Sequence, residues 1–368
     1  MSSISVNTIT DASGGATTSI NGFTPSVSNM AGRNRIINGD MRIDQRNAGA
    51  SYTQVNGAYS LDRWAGNSFD GGAATNKFSV QQSTTAPAGF SNSLLVTSLA
   101  ATADSGNDIF NIEQKIEGFN SADLAFGTAS AKTITLSFWV RSSLTGTFGG
   151  AIKNNARDRA YPFAYTISSA NTFEHKTITI AGDTSGTWVG ATNGAGLWLS
   201  FGLGVSSNRS NTAGAWAGGD LFSSTGATRV IGTSGATWQI TGVQLEEGAV
   251  ATPFEHRQYG QELELCRRYL QVFQGGSGSA SSSTSWETFQ QANPPFRATP
   301  TLSLSGVAAI EDHAVTVYTQ SSAIVTLGSA TALAFKYGLG NFSGLTNSRY
   351  YSLALAVNGN KLFASAEL

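Results

Sequence analysis

Few residues in this sequence are of the kinds that do covalent chemistry. The 368-residue chain carries three histidines, His175, His256 and His313, and one cysteine, Cys266. The histidines fall in separate stretches, so a catalytic triad or metal site would have to be assembled from distant segments, and surface or capping positions are the plainer reading. A single cysteine excludes an internal disulfide and any multi-cysteine metal site. No G-x-S-x-G elbow, H-E-x-x-H pair or phosphate-cradling G-x-x-x-x-G-K loop occurs. Glycoside hydrolysis would need two carboxylates across a cleft. Asp62, Asp104, Asp108, Glu113, Glu117, Asp158 and Asp183 could in principle provide them, but most are better read as turn and cap residues. The sequence therefore predicts a protein that is not an enzyme and that needs no cofactor.

Flat aromatic rings give the stronger signal, because an indole stacks on the apolar face of a sugar. Trp139 and Trp198 stand on strand faces opposite the inferred core, and Trp188 and Trp216 lie in glycine-rich loops. These four are the glycan-binding candidates. Trp216, within Ala-Gly-Ala-Trp-Ala-Gly-Gly-Asp, leads them. The competing reading for Trp139 and Trp198 is packing under a loop or at a subunit interface.

The elements that would position these rings are strands. In Thr133–Arg141, Ile134, Leu136, Phe138 and Val140 share one face by strict alternation, and Trp139 points the other way. Leu197–Leu203 repeats the pattern around Trp198. Further strands are expected over Phe173–Ile180 and Trp238–Leu245, the latter broken by a bulge at Thr241-Gly242, where the apolar register changes. Shorter ones are expected at Arg35–Ile43, Ser93–Ser98 and Phe110–Ile116. Such spacing predicts a jelly-roll β-sandwich over residues 34–254.

One helix is expected over 255–274. Tyr259, Leu263, Cys266, Leu270 and Phe273 are spaced by four, three, four and three, the repeat of a coiled-coil seam, so they are a candidate subunit seam with intrachain packing as the alternative. Glu264 precedes Arg268 by four, the favourable order for a helical ion pair. Gly275–Ser283 reads as a flexible linker, and 275–368 as a smaller C-terminal β domain. Residues 1–33 carry only Ile4, Val6 and Ile9 in alternation, a strand that must dock on a neighbour and a candidate anchor.

Composition agrees with a β protein built into something larger. The chain has 42 glycines and only 12% charged residues, against about 25% in an average globular protein. Its 22 Lys and Arg nearly balance 23 Asp and Glu, so no long-range field steers nucleic acid toward it. Weakly charged surfaces tend to associate. The N-terminus has no leader pattern and no stretch approaches the ~20 apolar residues of a membrane span.

Two resemblances follow from particular motifs. Leu136-Ser137-Phe138-Trp139-Val140-Arg141-Ser142 together with Trp238-Gln239-Ile240-Thr241-Gly242-Val243-Gln244-Leu245-Glu246-Glu247-Gly248 resembles the signature strands of carbohydrate-binding modules of the family 4/9/22 type. In those modules the position of Thr241-Gly242 commonly holds aspartates near a structural calcium, and neither residue is acidic here. Asn34-Arg35-Ile36-Ile37-Asn38-Gly39-Asp40-Met41-Arg42-Ile43-Asp44-Gln45-Arg46, Leu61-Asp62-Arg63-Trp64, the run from Ala251-Thr252-Pro253-Phe254 to Arg267-Arg268-Tyr269, and the closing Ala366-Glu367-Leu368 resemble phage virion and tail-fibre proteins. That resemblance implies a homotrimeric virion component with an N-terminal attachment to another virion protein and a β domain that binds host surface glycans. The alternatives are a decoration protein of capsid or tail without a receptor, and a polysaccharide-degrading tail enzyme.

Overall fold

The computed structural model describes residues 32–312, 316–353 and 360–368, and the chain divides into two compact units. The first comprises the described residues up to Arg42, Gly49–Ser60 and Trp64–His256; the second comprises Ile43–Ala48, Leu61–Arg63 and Arg257–Leu368. The proposed anchor residues Ile4, Val6 and Ile9, and also His313, lie outside the described residues.

The N-terminal unit is a β-sandwich. Its main strands are β1 (Ala65–Asp70), β2 (Phe78–Ser83), β3 (Ser93–Ser98), β4 (Ile109–Glu117), β5 (Ile134–Ser142), β6 (Gly146–Lys153), β7 (Arg159–Ile167), β8 (Glu174–Ile180), β9 (Ala195–Val205) and β10 (Thr237–Glu247). One sheet runs β2-β3-β10-β5-β8, with Tyr52–Thr53 on its β2 edge. The other runs β7-β6-β9-β4-β1, extended by Ala217–Gly218 and Ala58–Tyr59. Alternation decides which faces meet. Ile134, Leu136, Phe138 and Val140 of β5 are fully buried, as are Leu199, Phe201 and Leu203 of β9. Phe138 packs edge-on against Tyr165 and Phe201, each at 5.1 Å, and Trp238 Nε1 donates to Tyr165 Oη at 3.2 Å, which ties the two sheets together. Each such ring contributes about 1.5–3 kcal/mol by burial.

The bulge stands where the apolar register changes: β10 slips against β5 between Thr241 and Gln244. Gly242 has φ +61°, and a Cβ there would lie 2.6 Å from the Phe90 ring, so a glycine is required.

The stretch expected as a strand at Arg35–Ile43 is instead a run of buried turns. Asn38 and Met41 have φ of 56° and 59°, and the Asn34 side chain donates to Val243 O while accepting from the amides of Ile36 and Leu245. Its apolar side chains are buried as a strand's would be, but hydrogen bonds through Asn34 replace a ladder.

The C-terminal unit begins with α1 (Tyr259–Arg267), followed by β11 (Leu270–Phe273), β12 (Gly276–Ala280), β13 (Trp286–Gln291), β14 (Thr301–Leu304), β15 (Ala309–Glu311), β16 (Val317–Thr319), β17 (Val325–Ala330), β18 (Ala334–Leu339), β19 (Tyr350–Leu353) and β20 (Leu362–Ser365). A seven-stranded sheet runs β16-β15-β19-β12-β13-β18-β17, and a three-stranded one runs β11-β20-β14. Two expectations are corrected here. The supposed linker contains β12: glycine at 278 lets the Trp286 ring lie 2.7 Å from where a Cβ would stand, so small residues serve close packing instead of flexibility. The helix stops at Arg267, and Leu270 and Phe273 sit on β11, paired with Ser365 and Leu362. The heptad seam therefore does not exist as one helical stripe. Tyr259 is 55% exposed, whereas Cys266 and Leu270 are buried. Glu264 pairs with Arg267, not with Arg268, at 3.5 Å.

Parts of the motifs of the virion resemblance, within 43–46, 61–63, 257–269 and 366–368, lie in this unit, where they form a buried ionic hub. Glu367 binds both Arg63 and Arg46, the Arg63 guanidinium lies 3.5 Å from the Tyr269 ring centre, and Gln45 N–H donates to Asp62 at 2.7 Å. Burial pushes the Asp62 carboxyl up, against the pull of Arg46. Burial also pushes the Cys266 thiol well up, which leaves it an unreactive core residue. These residue types at these positions are thus explained by structure.

Candidate functional site

The outer face of the β7-β6-β9-β4-β1 sheet, turned away from the sandwich core, is built by period-two alternation on β4. Phe110, Ile112 and Ile116 turn inward, which leaves Asn111, Glu113 and Lys115 on the other face. Cross-strand register then places Asn67 beside Asn111, Ser200 beside Glu113, Trp198 beside Lys115, and Lys153 beside Trp198. Asn67 Nδ2 donates to Asn111 at 2.9 Å, and Asn111 Nδ2 donates to Ser200 Oγ at 2.7 Å and to Glu113 at 3.1 Å.

Two loops complete the site. The turn after β6 carries Arg157, and the segment after β9 carries Arg209, Asp220 and Phe222. The result is a groove of ≈ 280 Å³ lined by Asn67, Glu113, Lys115, Arg157, Trp198, Arg209 and Phe222, among others. Beneath it the Lys153 ammonium is fully buried. It lies 3.2 Å from the Phe222 ring centre and 4.9 Å from that of Trp198, and it donates to Asp220 at 2.9 Å. Asp220 is shared: Arg157 Nε reaches it at 3.0 Å and Arg209 Nη1 at 3.2 Å.

Burial pulls the Lys153 ammonium down to about 8, against the opposing pull of Glu113 and Asp220. For Asp220 burial acts upward, but Arg157 and Lys153 outweigh it and hold the carboxyl below its usual range. Lys115 lies 4.3 Å from the Trp198 ring centre and Arg157 5.9 Å. The Trp198 indole N–H is buried with no acceptor among the described residues. The arrangement offers one aromatic platform ringed by amides and charged groups fixed in place by one another, which suits hydroxyl-rich ligands.

The other three candidate tryptophans lie elsewhere. Trp188 and Trp216 come together with Phe126 and Tyr161 in an edge-to-face cluster with centroids 4.9–5.8 Å apart. Their indole N–H groups are taken by Ser185 O at 3.1 Å and Ala181 O at 2.7 Å. That geometry braces three loops against β7. Trp139 lies on the opposite sheet in a basin of ≈ 480 Å³ with His175, Phe90, Phe254 and His256. Two histidines that looked unrelated in sequence thus share one basin, where they pack on rings: His175 on Trp139 at 5.2 Å and His256 on Phe254 at 4.9 Å. Partial burial lowers the His175 pKa, with Lys176 adding to it. Thr241 and Gly242 offer no carboxylate, and Phe90 fills the space over Gly242, so the structural calcium of the resembling modules has no ligand set at this position.

Sequence reasoning named Trp198 among four candidates and did not reach its surroundings. The polar alternation Asn111-x-Glu113-x-Lys115 was a usable signal, since three polar side chains on one face of a strong strand mark the face turned away from the apolar core. Lys153, Arg157, Arg209, Asp220 and Phe222 carried none, because their assembly depends on how two loops fold over β6 and β9.

No family model and no curated protein matches the sequence. Among solved structures, the chain is similar to the enzymatically active domain of tailspike protein 4 of bacteriophage CBA120, at 15% identity and TM-score 0.33 over 58% of this chain and 21% of that one. The chain thus spans about a fifth of the tailspike chain it matches. It is also similar to a putative sugar binding protein from Bacteroides thetaiotaomicron, at 10% identity and TM-score 0.33 over 58% of this chain and all of that one. A third similarity is to a family 4 carbohydrate-binding module, at 16% identity and TM-score 0.29 over 57% and 97%. Likenesses this distant carry no information about activity.

Proposed function

We propose that this protein is a non-catalytic, glycan-binding component of a phage virion, and that the sugar binds in the groove over Trp198. The observation that carries the reading is the groove itself: a half-buried indole surrounded by Asn67, Glu113, Lys115, Arg157 and Arg209 on a rigid sheet. Stacking on Trp198 would supply affinity, and the amides and charges would orient hydroxyls. The virion assignment rests on the ordered motifs described above. In this reading the N-terminal segment attaches to another virion protein, and the chain assembles as a homotrimer through surfaces other than the heptad positions.

A hydrolytic reading needs one carboxyl kept protonated and one kept ionised. Asp220 is held ionised by cations, and Asp62, a carboxyl that burial pushes up, belongs to the hub of the C-terminal unit. That supports binding without cleavage. The test is incubation of the purified chain with a panel of host surface polysaccharides, scored for retention and for new reducing ends. Retention without cleavage is expected; new reducing ends would overturn the non-catalytic part, and no retention would favour a decoration role without a receptor.

A further inference from the structure

We infer that the groove over Trp198 selects a saccharide bearing an oxyanion, a carboxylate, sulfate or phosphate, over its neutral counterpart. This rests on the glycan reading of that groove and adds the class of sugar.

The charge distribution carries the inference. The chain as a whole is nearly neutral, with a formal net charge of -1. The groove departs from that background: Lys153, Arg157 and Arg209 all converge on one carboxylate, Asp220. Lys115 and Glu113 offset each other in charge, so the site keeps an excess of two positive charges, three cations against one anion.

The two arginines stand nearest the solvent, with Lys153 and the carboxylates beneath them. The Arg157 and Arg209 side chains are 46% and 33% exposed, whereas Asp220 is 14% exposed and Glu113 is buried. A ligand entering the groove therefore meets guanidinium groups first, with the compensating carboxylates beneath. Because Asp220 anchors both arginines, their heads are held before any ligand arrives, and less side-chain freedom is lost on binding.

Arg157 also sits at φ +61°, a conformation few residues other than glycine adopt. The turn is pinned by the buried Asn154, whose Nδ2 donates to Asp158 at 2.6 Å and to Thr187 O at 3.0 Å. With its guanidinium carbon 5.9 Å from the Trp198 ring centre, Arg157 stands where an acidic substituent of a sugar stacked on that ring would reach it.

The test is calorimetric titration of the full chain with a uronate oligosaccharide, its carboxyl-reduced neutral form, and sulfated and phosphorylated analogues, at low and high salt. At least one oxyanion-bearing form should bind about tenfold or more tightly than the neutral one, and the preference should shrink in high salt. Arg157→Gln and Arg209→Gln should each narrow the gap. Either variant leaves Asp220 two cationic partners, so folding is spared. Equal, salt-insensitive binding of neutral and acidic sugars, still lost in Trp198→Ala, would overturn the charge inference and leave the glycan groove standing. Binding of no saccharide would overturn both.

Discussion

Lys153 gives the most demanding prediction, because its ammonium is fully buried and its energetics can be worked from the structure. Its pKa falls from an ordinary 10.5 to about 8 in the folded chain. Between those values the unfolded chain binds more protons than the folded one, so this group makes stability rise with pH and lose that gain as pH falls through about 8. The gap of about 2.5 pH units corresponds to about 3 kcal/mol at ~1.36 kcal/mol per unit. In Lys153→Met the length and apolar stem remain, Asp220 keeps Arg157 and Arg209, and Glu113 keeps the attraction of Arg157 and the hydrogen bond from Asn111, so neither carboxylate is stranded. The variant should be more stable than the parent by about 1–3 kcal/mol at pH 7, and the difference should close between pH 8 and 10.5. Urea unfolding followed by intrinsic fluorescence suits the measurement, since six of the seven tryptophans belong to the N-terminal unit. A constant difference across that pH window, or a variant less stable than the parent at pH 7, would refute the reasoning.

Three further outcomes are expected. Glu367→Gln removes the anion shared by Arg46 and Arg63 and should lower the stability of the C-terminal unit by about 3–5 kcal/mol, seen as an earlier transition by circular dichroism. Leu270→Glu places a charge at a buried position on β11, so it should unfold the C-terminal unit instead of releasing intact monomers; sedimentation together with circular dichroism separates the two, and a folded monomer would contradict the intrachain packing. Gly278→Ala puts a Cβ 2.2 Å from Glu287 O and should cost about 1–3 kcal/mol by chemical denaturation.

Strict alternation made the sandwich core legible: β5 and β9 lie within a residue or two of where their apolar periodicity sets them, and the bulge stands at Thr241-Gly242. Failures arose where tertiary pairing overrode a local pattern. Cys266, Leu270 and Phe273 have helical spacing, yet pairing with β20 captures Leu270–Phe273 as a strand. Gly276–Ala280 has linker composition, yet its small residues are what a strand beside Trp286 requires. For the site, Trp198 was visible as an outward ring on a strong strand. Trp216 looked better placed in its glycine-rich loop, and only the structure shows its indole N–H committed to Ala181 O and its edges to Phe126 and Tyr161. The Asp220 network joins residues up to 67 positions apart, a separation no local pattern encodes.

The central claim is that Trp198, and not the Trp188–Trp216 cluster, carries the sugar. Titration of the parent chain, Trp198→Ala and Trp216→Ala with an oligosaccharide retained from the polysaccharide panel tests it directly. Removing the stacking platform should weaken binding by about tenfold or more, with Trp216→Ala retaining near-parental affinity; loss of binding in Trp216→Ala with Trp198→Ala unaffected would contradict the account.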